Sequence, residues 1–138
     1  MRLFMLGSAL SFSAAAAHAT IAVTDLHSSG QLHATSLYAA ATAANPVFAT
    51  LMVVCLLMVW GAYALAAAGR IAPLPMMPQA IAAITALYLV RGLFLVPQLM
   101  GYNVFTAGDP VSPADLIFSA VVLVIGMVHA AGVVQKPD

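Results

Sequence analysis

Residues 87–97 read LYLVRGLFLVP, an apolar run that contains a single charged residue, Arg91. The chain has 138 residues and only four Lys and Arg residues, so one of its few cations stands in very apolar surroundings. A central arginine costs about 2.5–3.5 kcal/mol when a helix inserts into a bilayer. The large apolar residues between 81 and 99 contribute about −3 to −6 kcal/mol, so we expect this segment to insert in spite of Arg91.

The overall composition points to a membrane protein. Hydrophobic residues make up 64% of the chain and charged residues 6%, against a norm for soluble domains of about 45–50% and about 25%. So few charges cannot cover so apolar a core, and a bilayer must therefore solvate much of the surface. The net charge of zero argues against nucleic acid as a partner. Cys55 is the only cysteine, which excludes an intrachain disulfide and a cysteine metal site.

Four apolar segments are each long enough to cross the hydrocarbon core, which requires about 20 helical residues. We therefore predict an all-α membrane protein in which residues 1–138 form a single transmembrane domain, a compact bundle of four transmembrane helices. Small residues such as Gly7, Gly61 and Gly126 are candidates for close helix contacts. The predicted spans cover about 3–24, 46–69, 79–100 and 114–135.

The segments between the spans carry clear helix-breaking signals. The first connector, residues 25–45, is polar and ends before Pro46. The second, GRIAPLPMMP (69–78), contains three prolines in ten residues, which predicts a tight turn. The third connector, 101–113, ends with the start signal of a helix: Ser112 as N-cap, Pro113 at the first helical position and Asp115 at the third.

The few charged residues outside the spans predict the orientation. All basic residues except Arg91 flank one side of the predicted membrane, and these are Arg2, Arg70 and Lys136. The acidic residues near the span ends, Asp25, Asp109 and Asp115, fall on the other side. The positive-inside rule then predicts cytoplasmic N- and C-termini, a cytoplasmic 69–78 turn and extracytoplasmic connectors.

The N-terminus supports two interpretations. Residues 1–19 have a basic start, an apolar stretch and an A-x-A end at Ala17-His18-Ala19, which is typical of a cleaved signal peptide. The apolar run, however, continues to Val23 and so reaches full spanning length. We favour a retained first helix, and cleavage would leave three spans with the same orientation.

Arg91 is the main candidate for a functional residue. Tyr88 and Gln98 lie three residues before and seven after it, so they share its helix face and direct that face into the bundle. The Arg91 side chain is expected to lean towards the helix N-terminus. At about 1.5 Å per residue, the depths of the nearby polar and aromatic residues then coincide. We predict one polar layer in the cytoplasmic half of the membrane, made of Trp60, Tyr63, Tyr88, Arg91 and His129.

The polar residues of the spans and connectors also have purely structural interpretations. Arg91 either snorkels to the interface and fixes helix register, which we favour, or attracts an anionic ligand. His18 and His129 are two membrane histidines, but their depths differ by about 12 Å, too far to hold one haem iron. Asp25, His27 and His33 have a spacing that is not diagnostic of zinc. We therefore predict no catalytic residue, no metal site and no cofactor.

Three stretches resemble a family of small, uncharacterised bacterial membrane proteins with four predicted spans. They are WGAYALAAAGRIAPLP (60–75), ALYLVRGLFLVP (86–97) and SAVVLVIGMVHAAGV (119–133). The polar connector 25–45 departs from the family's pattern. The resemblance implies a retained first helix, a location in a bacterial inner (plasma) membrane and no particular activity.

The sequence leaves three functional hypotheses. The first is a non-enzymatic accessory or scaffold protein, with membrane lipids and another membrane protein or a second copy as partners. The alternative is a small transporter or a protein that binds an anion or a lipid headgroup through Arg91. The third, which we favour least, is a lipid-directed enzyme that uses Tyr88, Arg91 and His129.

Overall fold

The computed structural model describes residues 2–28, 46–104 and 110–135, and every regular element in these ranges is a helix. The segment 77–99 is nearly continuous, so the described residues contain four helical segments that are long and apolar enough to cross a membrane. The predicted all-helical class and the four apolar segments are therefore confirmed for these residues. In chain order the helices are α1 (Arg2–Ser28), α2 (Pro46–Ala67), α3 (Met77–Leu93), α4 (Leu95–Leu99) and α5 (Pro113–Val134).

The four segments pack as a ring in which α1 contacts α2, α2 contacts α3, α3 contacts α5, and α5 closes against α1. Neighbours run antiparallel: the start of α1 meets the end of α2, where the Arg70 Nε donates to the Met5 Sδ at 3.4 Å. Gly132, near the end of α5, likewise packs against Phe4. We call this end, where α2 turns into α3, the turn end. The opposite end, where α4 stops and α5 begins, is the connector end.

Two helix termini follow directly from the sequence. Gly69 has a left-handed backbone (φ 69°) that ends α2, and the Arg70 N–H donates to the Leu65 carbonyl as in a Schellman motif. At the start of α5, the Ser112 side chain accepts from the Asp115 N–H, and the Asp115 carboxylate accepts from the Ser112 N–H. This capping box confirms the predicted helix start.

The bounds of the helices differ from the predicted spans in two informative places. α1 continues to Ser28, past the predicted end at residue 24. The third segment is interrupted at Phe94, between α3 and α4. Pro97 has no N–H to donate to the Leu93 carbonyl, which accounts for the interruption. Phe94 itself keeps right-handed helical angles (φ −62°, ψ −13°), so the break is local.

Glycines allow the helices to approach closely. A Cβ atom on Gly92 of α3 would lie 2.5 Å from the Leu123 Cα, and one on Gly126 of α5 would lie 2.9 Å from the Leu89 backbone N. These contacts place α3 and α5 against each other backbone to backbone. They also define the antiparallel register, in which residues 92 and 123 lie at the same height.

Candidate functional site

Arg91 projects from α3 onto α5. Its Nη1 donates to the Ser119 Oγ at 3.0 Å, and Ser119 is fully buried. The guanidinium carbon lies 5.3 Å from the centroid of the Phe118 ring and 5.9 Å from that of the Phe94 ring. Both distances fall within the range of cation–π contacts. Among the described residues, the Ser119 hydroxyl and the rings of Phe94 and Phe118 therefore contact the charged group.

The direction of the Arg91 side chain corrects the sequence-based expectation. Residue 92 is level with Leu123, so Ser119 lies about 6 Å nearer to the connector end. The side chain thus leans towards the C-terminus of its own helix and not towards the N-terminus. Asp115 lies one helical turn beyond Ser119 on the same face of α5, and its charge acts on Arg91. A long side chain can follow such partners against the usual lean of helical side chains.

Three of the five predicted layer residues do come together, in the centre of the bundle. The Trp60 and Tyr88 rings form an edge-to-face pair with centroids 4.7 Å apart. The Tyr88 and His129 rings lie 5.3 Å apart with an interplanar angle of 37°. The Tyr88 hydroxyl reaches the Ser11 Oγ of α1 at 2.9 Å. Together with the neighbouring Ser8, these residues form what we call the central cluster: Ser8, Ser11, Trp60, Tyr88 and His129.

Tyr63, the fifth predicted residue, lies outside the central cluster. Its hydroxyl donates to the Pro75 carbonyl at 3.1 Å in an exposed contact near the turn end. The bond joins α2 to the proline-rich turn that leads into α3. The predicted single layer is therefore three separate arrangements, one each at Tyr63, in the central cluster and at Arg91.

His129 has no exposed surface and packs against α1 where Gly7 leaves room for its ring. A Cβ atom on Gly7 would lie 2.7 Å from the His129 Cε1, so any larger residue there would displace the imidazole. The His129 Nδ1 lies 3.0 Å from the Ile125 carbonyl. Because a carbonyl only accepts, Nδ1 must carry the proton in this bond.

The remaining candidates stay apart from one another. His18 donates from its Nδ1 to the Ala14 carbonyl at 2.8 Å and meets the edge of Phe118. Gly7 marks the height of His129 on α1, and His18 lies eleven residues further, about 16 Å along the helix. Within the described part of the chain, no three His, Cys, Asp or Glu residues gather in a possible metal site. Cys55 is an exposed thiol on α2. The side chains of Asp25, His27 and His33 lie outside the described residues.

Sequence reasoning missed the buried serines and did not foresee the environment of Gln98. Ser8 and Ser119 are buried at the interfaces of α1 and α5, and only their polarity within apolar spans could have marked them. Gln98 is 2% exposed, and neither atom of its amide has a hydrogen-bond partner among the described residues. Asp115 and Ser119 at four-residue spacing were a readable signal for a partner of Arg91.

Two of the hydrogen bonds described above join separate helices. The Ser11–Tyr88 bond crosses the bundle from α1 to α3, and the Arg91–Ser119 bond joins α3 to α5. Interhelical bonds of this kind contribute about 0.6–1.7 kcal/mol each in a bilayer. The Ser11 hydroxyl faces a phenol, which is a poor general base at neutral pH. The phenol in the Ser11–Tyr88 pair is therefore a poor base for activating the serine.

Comparison of the chain with models of known protein families, with curated proteins and with solved structures finds no match.

Proposed function

We propose that this protein is a non-enzymatic, multi-pass protein of a bacterial inner membrane that acts as an accessory or scaffold subunit. The observation that carries the proposal is the engagement of Arg91 by Ser119, Phe94 and Phe118. An arginine that serves ligand binding must present its guanidinium to the ligand. Here the guanidinium contacts Ser119 and Phe118 of α5 and the ring of Phe94, which directly follows α3, as expected for a residue that fixes two helices.

The exposed surface supports an environment of lipid or of another membrane protein. Large apolar side chains are exposed along α2, α3 and α5, whereas Ser8, Ser11, Ser119 and His129 are buried. A soluble helical bundle has the opposite arrangement, with polar residues on its surface. The apolar surface seen here suits contact with lipid acyl chains or with an apolar helix of a partner. On α2 the exposed large residues are Leu51, Met52, Leu56, Met58 and Val59.

For the orientation, we propose a cytoplasmic turn end. Arg70 lies at this end beside Met5, three residues from Arg2. Asp115 caps α5 at the opposite end. Basic residues flanking spans are retained on the cytoplasmic side, so this distribution supports cytoplasmic termini.

The proposal is tested by native mass spectrometry after extraction in mild detergent. A scaffold or accessory protein is expected to appear in a stoichiometric complex with a second membrane protein or a second copy of itself. Deletion of the protein should then alter the assembly of that complex. A lone species at every detergent concentration, with no complex altered by deletion, would contradict the proposal.

The competing hypothesis, an anion transporter or headgroup-binding protein that uses Arg91, predicts a different result. Protein reconstituted in liposomes would then bind or move an anion such as phosphate, and Arg91→Gln would abolish this. Ser119→Ala serves as the matched control, because it removes the partner and leaves the cation. For a scaffold we expect no anion flux in any of the three proteins.

A further inference from the structure

Two buried polar atoms in the central cluster lack hydrogen-bond partners among the described residues. They are the Ser8 Oγ of α1 and the His129 Nε2 of α5. Ser8 is 1% exposed and His129 is fully buried. Burial of unpaired polar groups is unfavourable, and it is especially unfavourable in the interior of a membrane-spanning bundle. A group that bonds to both atoms would remove this cost.

The tautomer of His129 fixes the chemistry that this group must have. Nδ1 carries the proton because it bonds to the Ile125 carbonyl. In the neutral imidazole the Nε2 then has a lone pair and no hydrogen, so it can only accept. The Ser8 hydroxyl can donate or accept. The third group must consequently donate a hydrogen bond to His129 and can bond to Ser8 in either sense.

The two atoms belong to one small region of the bundle. The His129 ring lies on Gly7, the residue that directly precedes Ser8. Ser11, one helical turn beyond Ser8, bonds to the Tyr88 hydroxyl, and the Tyr88 ring stands beside His129. Polar side chains from α1, α3 and α5 thus lie in the same region of the bundle.

We propose that the bundle holds a water molecule between the Ser8 Oγ and the His129 Nε2. Water donates two hydrogen bonds and accepts two, and it is small and uncharged, as full burial requires. It donates to His129 and bonds to Ser8, and the oxygens of Ser11 and Tyr88 retain capacity for a third bond. A buried water with about three polar partners is a regular part of protein structure. The site makes the imidazole of His129 a hydrated group inside an apolar span, which goes beyond a scaffold role.

The direct test is a high-resolution structure of the unmodified protein in lipid. It should contain an ordered water within hydrogen-bond distance of both atoms, about 2.6–3.2 Å. A direct bond from Ser8 to His129, or an empty contact between them, would overturn the proposal.

Solid-state NMR of the protein in lipid vesicles provides a second test. With ¹⁵N-labelled histidine, magnetisation from water should reach the His129 imidazole at short mixing times, and His129→Gln identifies its signals. Ser8→Ala should remove at least half of the transferred intensity, because the water loses one of its two main partners. Ser11→Ala is the matched control and should retain most of the transfer. Equal transfer in the unmodified, Ser8→Ala and Ser11→Ala proteins, or none in the unmodified protein, would contradict a water held by Ser8.

Discussion

At the scale of single residues, Tyr88 is the side chain that connects most of the bundle. Its ring contacts Trp60 of α2 and His129 of α5, and its hydroxyl bonds to Ser11 of α1. One phenol on α3 therefore contacts all three of the other long apolar helices described. We expect the hydroxyl and the ring to contribute separately, since the ring contacts do not depend on the hydrogen bond.

Tyr88→Phe is expected to lower the free energy of unfolding by about 0.6–1.7 kcal/mol, the range for interhelical hydrogen bonds in a bilayer. Ser11→Ala should have a similar effect, and the double variant should cost less than the sum because both remove one bond. Unfolding in lipid bicelles measures these differences. Thr20→Ala is the control, because the Thr20 hydroxyl bonds to the Ala16 carbonyl of its own helix. Strict additivity would show that Ser11 and Tyr88 are not bonded.

The sequence predicted part of this site, and the reason for the limit is physical. Trp60, Tyr88 and His129 were predicted to lie at one height from their calculated depths alone, because the rise per residue of a helix is constant. Depth does not reveal which neighbour a long side chain meets. Arg91 turns towards Ser119 and Asp115, and their alignment with α3 depends on the register that Gly92 and Gly126 set between two helices.

At the scale of elements, the close contact between α3 and α5 depends on two glycines, which have no side chain. Gly92 faces the backbone of Leu123, and Gly126 faces the backbone of Leu89. The backbone of a packed helix cannot rotate away as the end of a flexible side chain can. The register that brings Ser119 within reach of Arg91 therefore relies on these two glycines.

Gly92→Ala is expected to destabilise the protein by about 1–3 kcal/mol, because its Cβ would meet the Leu123 Cα at 2.5 Å. The higher helix propensity of alanine offsets about 0.8–1.0 kcal/mol of the steric cost without reversing it. Thermal unfolding in detergent measures the change. Ala86→Val, which adds volume on the exposed face of α3, should change stability little. A stabilised Gly92→Ala protein would contradict the close contact.

Helix termini show where sequence information suffices at this scale. Ser112, Pro113 and Asp115 predicted the start of α5 correctly because a capping box uses only local bonds. Pro97 was equally visible and its effect, the interruption at Phe94, follows from a missing donor. The end of α1 was missed because polar residues after Val23 can extend a helix beyond the hydrocarbon region.

At the scale of the whole molecule, the four long apolar segments of the described residues form a closed ring of antiparallel neighbours. The Ser11–Tyr88 hydrogen bond crosses the centre of the ring, and the Arg91–Ser119 hydrogen bond joins α3 to α5. The exposed faces of the helices, in contrast, carry large apolar side chains. Composition predicted this arrangement in outline, since few charges and four apolar segments admit little else. The proposed orientation, with the turn end in the cytoplasm, rests on the basic residues beside that end.

Topology is tested with single cysteines in a Cys55→Ser background. We expect Tyr102→Cys, exposed at the connector end, to react with a membrane-impermeant thiol reagent added outside spheroplasts. Ile71→Cys, exposed in the turn, should react only after the membrane is opened. The reverse pattern would invert the proposed orientation, and the Cys55→Ser protein alone provides the unlabelled control.

The role of Arg91 as a link between helices is tested most directly by a double-mutant cycle with Ser119. Unfolding in bicelles is measured for Arg91→Gln, Ser119→Ala, the double variant and the unmodified protein. We predict that the two residues are coupled by about 0.6–1.7 kcal/mol, so that the double variant costs less than the sum of the single changes. Effects that simply add would contradict a bond between Arg91 and Ser119 and would leave the arginine without the structural role proposed for it.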